Sequence, residues 1–224
     1  MVKKNISIGI SGVAGAGKDF FFQIFKKQIK KRGIHARRLA LADSLKEELN
    51  GFTIHHYNIN ALTCSREEKD MIRPLLVTHG KLKRDTSRGR HWINKLQKVI
   101  EDLGQKESTI NCITDIRYNE YERDEAYWLK EELGGILVHV SQYIRAHNPP
   151  YDKCFIAPAN REEESQDPSL QKAADYNLEW ENKAFLRGDE ALDVDKIEAY
   201  TEEKVKCFIE WLYKNHGSRM VEIS

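Results

Sequence analysis

Short apolar runs and longer stretches with helical spacing take turns along this chain. Residues 5–11 are an apolar run of strand length, apolar enough to be covered on both faces as in a parallel sheet. The next stretch sets Phe21, Ile24, Phe25 and Ile29 on one side of a helix and Lys26, Lys27, Lys30 and Lys31 on the other, and Gly33 ends it. His35 to Ala42 predicts a second strand. Asp43 to Gly51 predicts a short helix with Ser44 and Glu47 in capping-box register. Residues 52–63, rich in Asn and His and without periodicity, predict a surface loop. Ser65 and Glu68 form another capping box ahead of a helix through Met71, Ile72, Leu75 and Leu76, where Pro74 predicts a kink.

A basic tract follows, Lys81, Lys83, Arg84, Arg88 and Arg90, with Gly80 and Gly89 as joints. His91 to Leu103 is amphipathic, with Trp92, Leu96, Val99, Ile100 and Leu103 on the buried side; at that spacing Trp92 reads as core or as a platform for an acceptor. Ser108 to Thr114 predicts a third strand, a highly charged helix runs on to Leu133, and Ile136 to Ser141 predicts a fourth strand. From Gln142 to Ala174 the periodicity disappears, four of the five prolines collect, and Glu162, Glu163 and Glu164 form an acidic run. That stretch is too long for an ordinary connection and reads as a lid or an irregular excursion. Asp175 to Trp180 predicts a last strand and Asp195 to Asn215 a closing helix. Alternating strands and helices predict an α/β fold, a mostly parallel five-stranded sheet with helices on both faces. The expected organisation is one domain, 1–224, with 43–104 as a helical acceptor-binding insertion and 142–174 as a lid.

Composition narrows the class. The 36 Lys and Arg balance 35 Asp and Glu, a net charge of +1, which argues against a nucleic-acid-coating protein while leaving local basic clusters available for DNA. The four scattered cysteines, without a C-x-x-C pair, read as reduced thiols. His55 and His56 lack any carboxylate or thiol framework and read as loop residues. The opening residues do not resemble a signal peptide and no apolar run is long enough to span a membrane, so the expectation is a cytoplasmic protein, in the host cytoplasm if phage-encoded. Composition leaves a homodimer open.

The chemistry concentrates after the first strand. Gly12-Val13-Ala14-Gly15-Ala16-Gly17-Lys18 is a G-x-x-x-x-G-K phosphate-binding loop between strand and helix, the setting that motif requires. Glycines let consecutive N–H groups turn inward around phosphate oxygens, the helix start adds its free N–H groups, and Lys18 reaches the outer phosphates. Asp19 stands where Ser or Thr usually gives a hydroxyl to Mg²⁺. It either holds the metal, caps the helix start, or marks a loop that has lost its activity.

Ligands of a parallel sheet gather at the carboxyl ends of its strands. Chain order alone brings there the loop with Lys18, then Asp43 and Lys46, then Asp115 and Arg117, and then the predicted lid with Arg145. Asp115 is placed to hold Mg²⁺, to cap a helix or to pair with Lys18. Arg117 is placed either to clamp an acceptor phosphate or to pair with a carboxylate of residues 120–125. Arg73, Arg84, Arg88 and Arg90 are acceptor-side candidates, because phosphoryl transfer depends on positioning and charge.

These residues resemble a family. Gly12 to Asp19 is similar to the phosphate loop of bacteriophage deoxynucleoside monophosphate kinases, which also carry Asp after the lysine. The likeness continues through Leu41-Ala42-Asp43-Ser44-Leu45-Lys46, through Arg73 and Leu75 to Gly80, through Trp92 to Leu96, and through Asp115-Ile116-Arg117. The resemblance implies transfer of the ATP γ-phosphate to a deoxynucleoside monophosphate, giving the diphosphate, with Mg²⁺. Lys18 and the loop would hold ATP, with Arg145 a candidate helper; Asp115 and Arg117 would serve acceptor or metal, and Arg73 acceptor phosphate. Phe20 stands where the phage enzymes have Thr, and Val77 or Thr78 replaces their glutamine. Gly17-Lys18-Asp19-Phe20 and Lys69-Asp70-Met71-Ile72-Arg73 are also similar to animal-type phosphomevalonate kinases. Kinases of modified bases in DNA form a third option, with 81–90 as the binding patch. Outside enzymes, an ATP-binding regulatory module fits the same loop.

Overall fold

The computed structural model describes residues 5–104, 109–145, 152–182 and 194–223. The start of the chain (1–4), Ser108 at the head of the third predicted strand, and 146–151 of the predicted lid lie outside them. The elements run β1 (Asn5–Ser11), α1 (Lys18–Lys30), β2 (Ala36–Leu39), α2 (Leu41–Tyr57), α3 (Arg66–Ser87), α4 (Arg90–Gly104) and β3 (Thr109–Ile113). They continue with the single turn α5 (Glu125–Tyr127) and a π turn (Trp128–Glu132), then β4 (Ile136–Arg145), β5 (Lys153–Phe155), α6 (Arg161–Ala173), β6 (Tyr176–Glu181) and α7 (Val194–Glu222).

β2, β3, β1, β4 and β6 pair in that order, all parallel. The sheet has a sixth strand that periodicity did not predict: β5 pairs antiparallel with the end of β4, Tyr143 opposite Phe155. Tyr143 also faces Glu181 of β6, so β5 takes the edge of β4 that β1 has vacated.

Strand alternation sorts the two faces. Ile6, Ile8, Ile10, Ile110, Cys112, Ile136, Val138 and Val140 pack with Phe21 and Phe25 of α1 and Val205, Phe208 and Leu212 of α7. The opposite face carries Ile113 and Leu137 against Ile93 and Leu96 of α4, Trp128 and Leu129 of the π turn, and Leu170 of α6. Gly9 of β1 faces this second layer because a Cβ there would come within 2.3 Å of the Leu129 side chain.

Between β2 and β3 the helical insertion has its own small core, Leu49, Ile59, Ala61, Ile72 and Leu76. Its helices are longer than the sequence pattern predicts. α2 begins at Leu41 and absorbs His55 and His56, and Ser44 is buried within it rather than capping it. The Ser65–Glu68 capping box is present, and α3 continues through Pro74 and Gly80 to Ser87, so the basic tract is its last turns. Between β3 and β4 the expected charged helix is mostly loop, closed by α5 and the π turn. That loop is tied down by one buried ion pair. Arg84 Nη1 donates to Asp124 Oδ1 at 2.7 Å, its guanidinium lies 3.6 Å from the Tyr118 ring centre, and neither charged group reaches solvent. Asp124 also accepts the N–H groups of Glu120, Tyr121 and Glu125, and Gly89 leaves room for it, since a Cβ there would lie 2.8 Å from Oδ1.

Burial alone would lower Arg84 and raise Asp124, but their pairing overrides it and keeps both charged. Removing one partner strands the other charge. Arg84→Met is therefore expected to cost about 3–5 kcal/mol in urea denaturation. Adding Asp124→Asn to the same chain should recover part of that loss, because no charge is then stranded and the amide oxygen can still accept the Glu120 and Tyr121 N–H groups that Oδ2 accepts.

Candidate functional site

The phosphate loop is shaped by what stands beside it. Gly12, Gly15 and Gly17 all adopt positive φ (129°, 82° and 89°), where L side chains are strained. At two of them there is also no room: a Cβ on Gly12 would meet the Val140 carbonyl oxygen at 2.2 Å, and one on Gly17 would meet the Trp180 ring at 2.5 Å. Trp180 is buried and its Nε1 donates to Ala16 O at 2.9 Å, so β6 braces the loop from behind. Lys18 folds back, its Nζ donating to Gly12 O at 2.6 Å and Val13 O at 2.9 Å. Burial and the nearby Arg117 guanidinium hold the Lys18 ammonium below its ordinary value, against the pull of Glu163, Asp19 and Asp167.

α6 lies across the mouth of this loop. One helical face points four residues inward at i, i+3, i+4 and i+7. Glu163 accepts the Ala14 N–H at 3.1 Å, and Gln166 accepts the Asn119 N–H at 3.2 Å. Asp167 meets buried His139 at 3.0 Å, and Leu170 enters the core. His139 is further held by Ser141. With Gly12, Val13, Ile116 and Arg117, this face lines a half-open cleft of about 20 Å³, space for a single water. Sequence reasoning missed Glu163, Asp167 and His139. The signal available was His139 itself, a polar residue in an otherwise apolar strand, facing away from Val138 and Val140.

Of the residues picked from sequence, Gly12 to Lys18, Asp19 and Arg117 come together. Asp19 is exposed in the first turn of α1, beside Lys18. Arg117 lines the cavity from the β3 side. Asp115 is drawn elsewhere: its two oxygens accept the first N–H groups of α2, from Leu41 at 2.8 Å and Ala42 at 2.9 Å, and burial raises its carboxyl. It thus caps the start of α2. Asp43 and Lys46 pair with each other, and Asp43 also with Arg38.

Most of the acceptor-side candidates in the insertion have partners within the chain. Arg73 is exposed and bound to Asp70 one turn earlier. Arg84 is the buried partner of Asp124, and Arg90 is bound by both oxygens of Glu132 at the start of α4. Trp92 is core, its Nε1 donating to Gly80 O. Arg88 is exposed at the left-handed end of α3. Arg145, at the end of β4, pairs with Glu181 rather than with the loop. Much of the insertion's remaining charge converges on Glu48, which receives His79, His91, Lys83 and Lys95. Burial would raise its carboxyl, but hydrogen bonds from Lys95, His79 and His91 hold it well below the usual range.

A glycine loop between the central strand of a parallel sheet and the following helix, with its lysine turned back under it, defines the fold shared by P-loop NTPases and kinases. No protein-family model matches the chain, and no curated protein does. Among solved structures, the APS kinase of Mycobacterium tuberculosis is 14% identical with a TM-score of 0.39, covering 91% of this chain and 99% of its own. Shikimate kinase from Bacteroides thetaiotaomicron is 13% identical with a TM-score of 0.39, covering 92% and 98%. Likeness of this size does not define a substrate. Among the described residues no helix is long and apolar enough to cross a membrane, and no group of three metal-binding side chains is assembled.

Arg117 is held by a titrating neighbour. Buried Glu125 accepts the N–H groups of Arg117 at 2.7 Å and Tyr118 at 3.2 Å. Burial, with the Asp124 and Asp115 carboxylates nearby, pushes its carboxyl up to about 8, against those N–H groups and Arg84. The folded chain thus keeps a proton that the unfolded chain releases near 4.5, so stability falls as pH rises through that window. Glu125→Gln should flatten this decline when urea midpoints are compared between about pH 5 and pH 8. An unchanged slope would assign the decline to other groups.

Proposed function

We propose that the chain is an ATP-dependent kinase that transfers the γ-phosphate to a small phosphorylated acceptor, a deoxynucleoside monophosphate being the reading that the sequence resemblance favours. The observation that carries it is the Ala14 N–H holding a carboxylate oxygen at 3.1 Å: the loop already presents one backbone donor to an anion. That donor and Lys18 fit the phosphates of ATP, and Arg117, near enough to Lys18 to lower its proton affinity, is a planar cation suited to an acceptor phosphate. Asp19 and Asp167, both felt by Lys18, are the carboxylates present to hold Mg²⁺ directly or through water. Bound there, the ion would neutralise charge on the terminal phosphates.

The chain's own residues would act by positioning. Loop N–H groups and Lys18 orient the donor phosphates, Arg117 draws the acceptor oxygen into line, and α6 with Leu170 beneath it keeps water out. No side chain has to remove a proton when the acceptor is itself a phosphate. The reading in which residues 81–90 bind DNA is disfavoured by Arg84 and Arg90, whose charges are committed to Asp124 and Glu132.

ADP release in a coupled assay, with deoxynucleoside monophosphates, ribonucleoside monophosphates and phosphomevalonate as acceptors, tests the proposal. One acceptor class should turn over. Lys18→Ala should lower kcat/KM for it by on the order of 10²–10³-fold, whereas Arg117→Lys should raise the acceptor KM with a smaller effect on ATP. ATP binding without turnover on any acceptor would favour a regulatory module, and turnover on phosphomevalonate alone would replace the nucleotide assignment.

A further inference from the structure

We propose that Glu163 is a built-in competitor for the phosphate cradle, so that the first turn of α6 sets how tightly the chain holds nucleotide phosphates. This rests on the phosphate-loop reading and goes beyond it by naming a residue that determines affinity. Glu163 Oε2 accepts the Ala14 N–H and the Ala159 N–H, each at 3.1 Å. A carboxylate presents an anionic oxygen to a backbone donor much as a phosphate does. The Glu163 charge also reaches Lys18 and favours its charged form, as a bound phosphate would.

The placement is built rather than incidental. Asn160 caps α6 by accepting the Glu163 N–H at 2.9 Å, which fixes where the side chain starts. Gln166, Asp167 and Leu170 anchor the same face to the Asn119 N–H, to His139 and to the core. With α6 so held, the cleft between it and the start of the loop, lined by Gly12, Val13, Arg117, Glu163 and Asp167, has room for about one water. The Ala14 N–H is a single donor, and a strong bond to Glu163 and one to an incoming phosphate exclude each other. A phosphate can therefore take the Ala14 N–H only if the Glu163 side chain swings out or the first turn of α6 lifts. Glu163 is half-buried, so the competition is moderate, on the order of tenfold in affinity.

Calorimetric titration of the full chain with inorganic tripolyphosphate and with ATP, both in EDTA so that no carboxylate–metal contact enters, tests this. Glu163→Gln and Glu163→Ala should bind both probes about 10-fold more tightly than the parent chain. Glu164→Gln, which removes the same charge from an exposed neighbour, should stay within about twofold. Lys18→Ala should lose binding, which checks the loop itself. Equal tightening in Glu164→Gln would make the effect one of net charge and overturn the proposal. So would unchanged or weaker binding in both Glu163 variants while Lys18→Ala still loses it, and the phosphate-loop reading would then stand. Absence of binding in every chain, the parent included, would overturn both.

Discussion

The site depends on a steric condition: two glycines of the phosphate loop must lie against structure that leaves no space for a side chain. Gly12 passes under the Val140 carbonyl of β4, and Gly17 passes over the Trp180 ring of β6. The loop is thus wedged between its own strand and the two strands on that side of it. Trp180 adds the Ala16 carbonyl as a hydrogen-bond partner, so an apolar ring and a polar handle fix one backbone course. Everything at the loop mouth inherits this course, including the direction of the Ala14 N–H and the depth to which Lys18 folds back. The wedge exists because β4 and β6 run on past the end of β1: Ser11, its last residue, pairs with His139, while β4 continues to Arg145 and β6 to Glu181.

Environment separates the carboxylates more than identity does. Asp115 spends both oxygens on the start of α2, Asp124 is held charged by Arg84, and Glu125 is buried to the point of keeping its proton. Glu163, Asp167 and Asp19 remain around Lys18. The first group builds the walls and the second group shapes the charge inside them. Glu125 links the two, because its oxygen orients the backbone of Arg117, so that cation stands on a carboxyl whose ionisation the fold opposes.

Local spacing carried most of the fold in the sequence. β1, β3, β4 and β6 are apolar runs with a period of two, α1 and α4 have clear apolar faces, and the loop was recognisable because strand and helix flank it. α2 and the end of α3 were misread for a physical reason. They pack against each other in a small core with few apolar residues, and Phe52, Ile54, Val77 and Leu82 remain exposed, so neither helix shows a clean stripe. β5 has three exposed residues and owes its existence to pairing with β4, which spacing cannot report. At the site, glycines and Lys18 were legible because their chemistry is local. Arg84 with Asp124, Asp115 with α2, and Glu163 with Ala14 are long-range partnerships, and a charge in a sequence does not say which opposite charge it will meet.

That distinction changes what kind of acceptor site the kinase reading requires. The resemblance implied an arginine-rich insertion reaching toward the acceptor, yet Arg73, Arg84 and Arg90 neutralise carboxylates of the insertion and of the loop beside it. Their loss from the site concentrates the burden on Arg117, which approaches from the β3 end, and on Lys18 beneath the loop. Two cations close enough to repel raise a cost, since Arg117 lowers the proton affinity of Lys18. The three carboxylates around them offset it while phosphate is absent. Phosphates would do so more strongly when bound, and the site would then be electrostatically complete only with its substrates in place. On that reading the acidic face of α6 keeps a highly charged cradle stable while it waits, and it does so with the same kind of group that phosphate must displace.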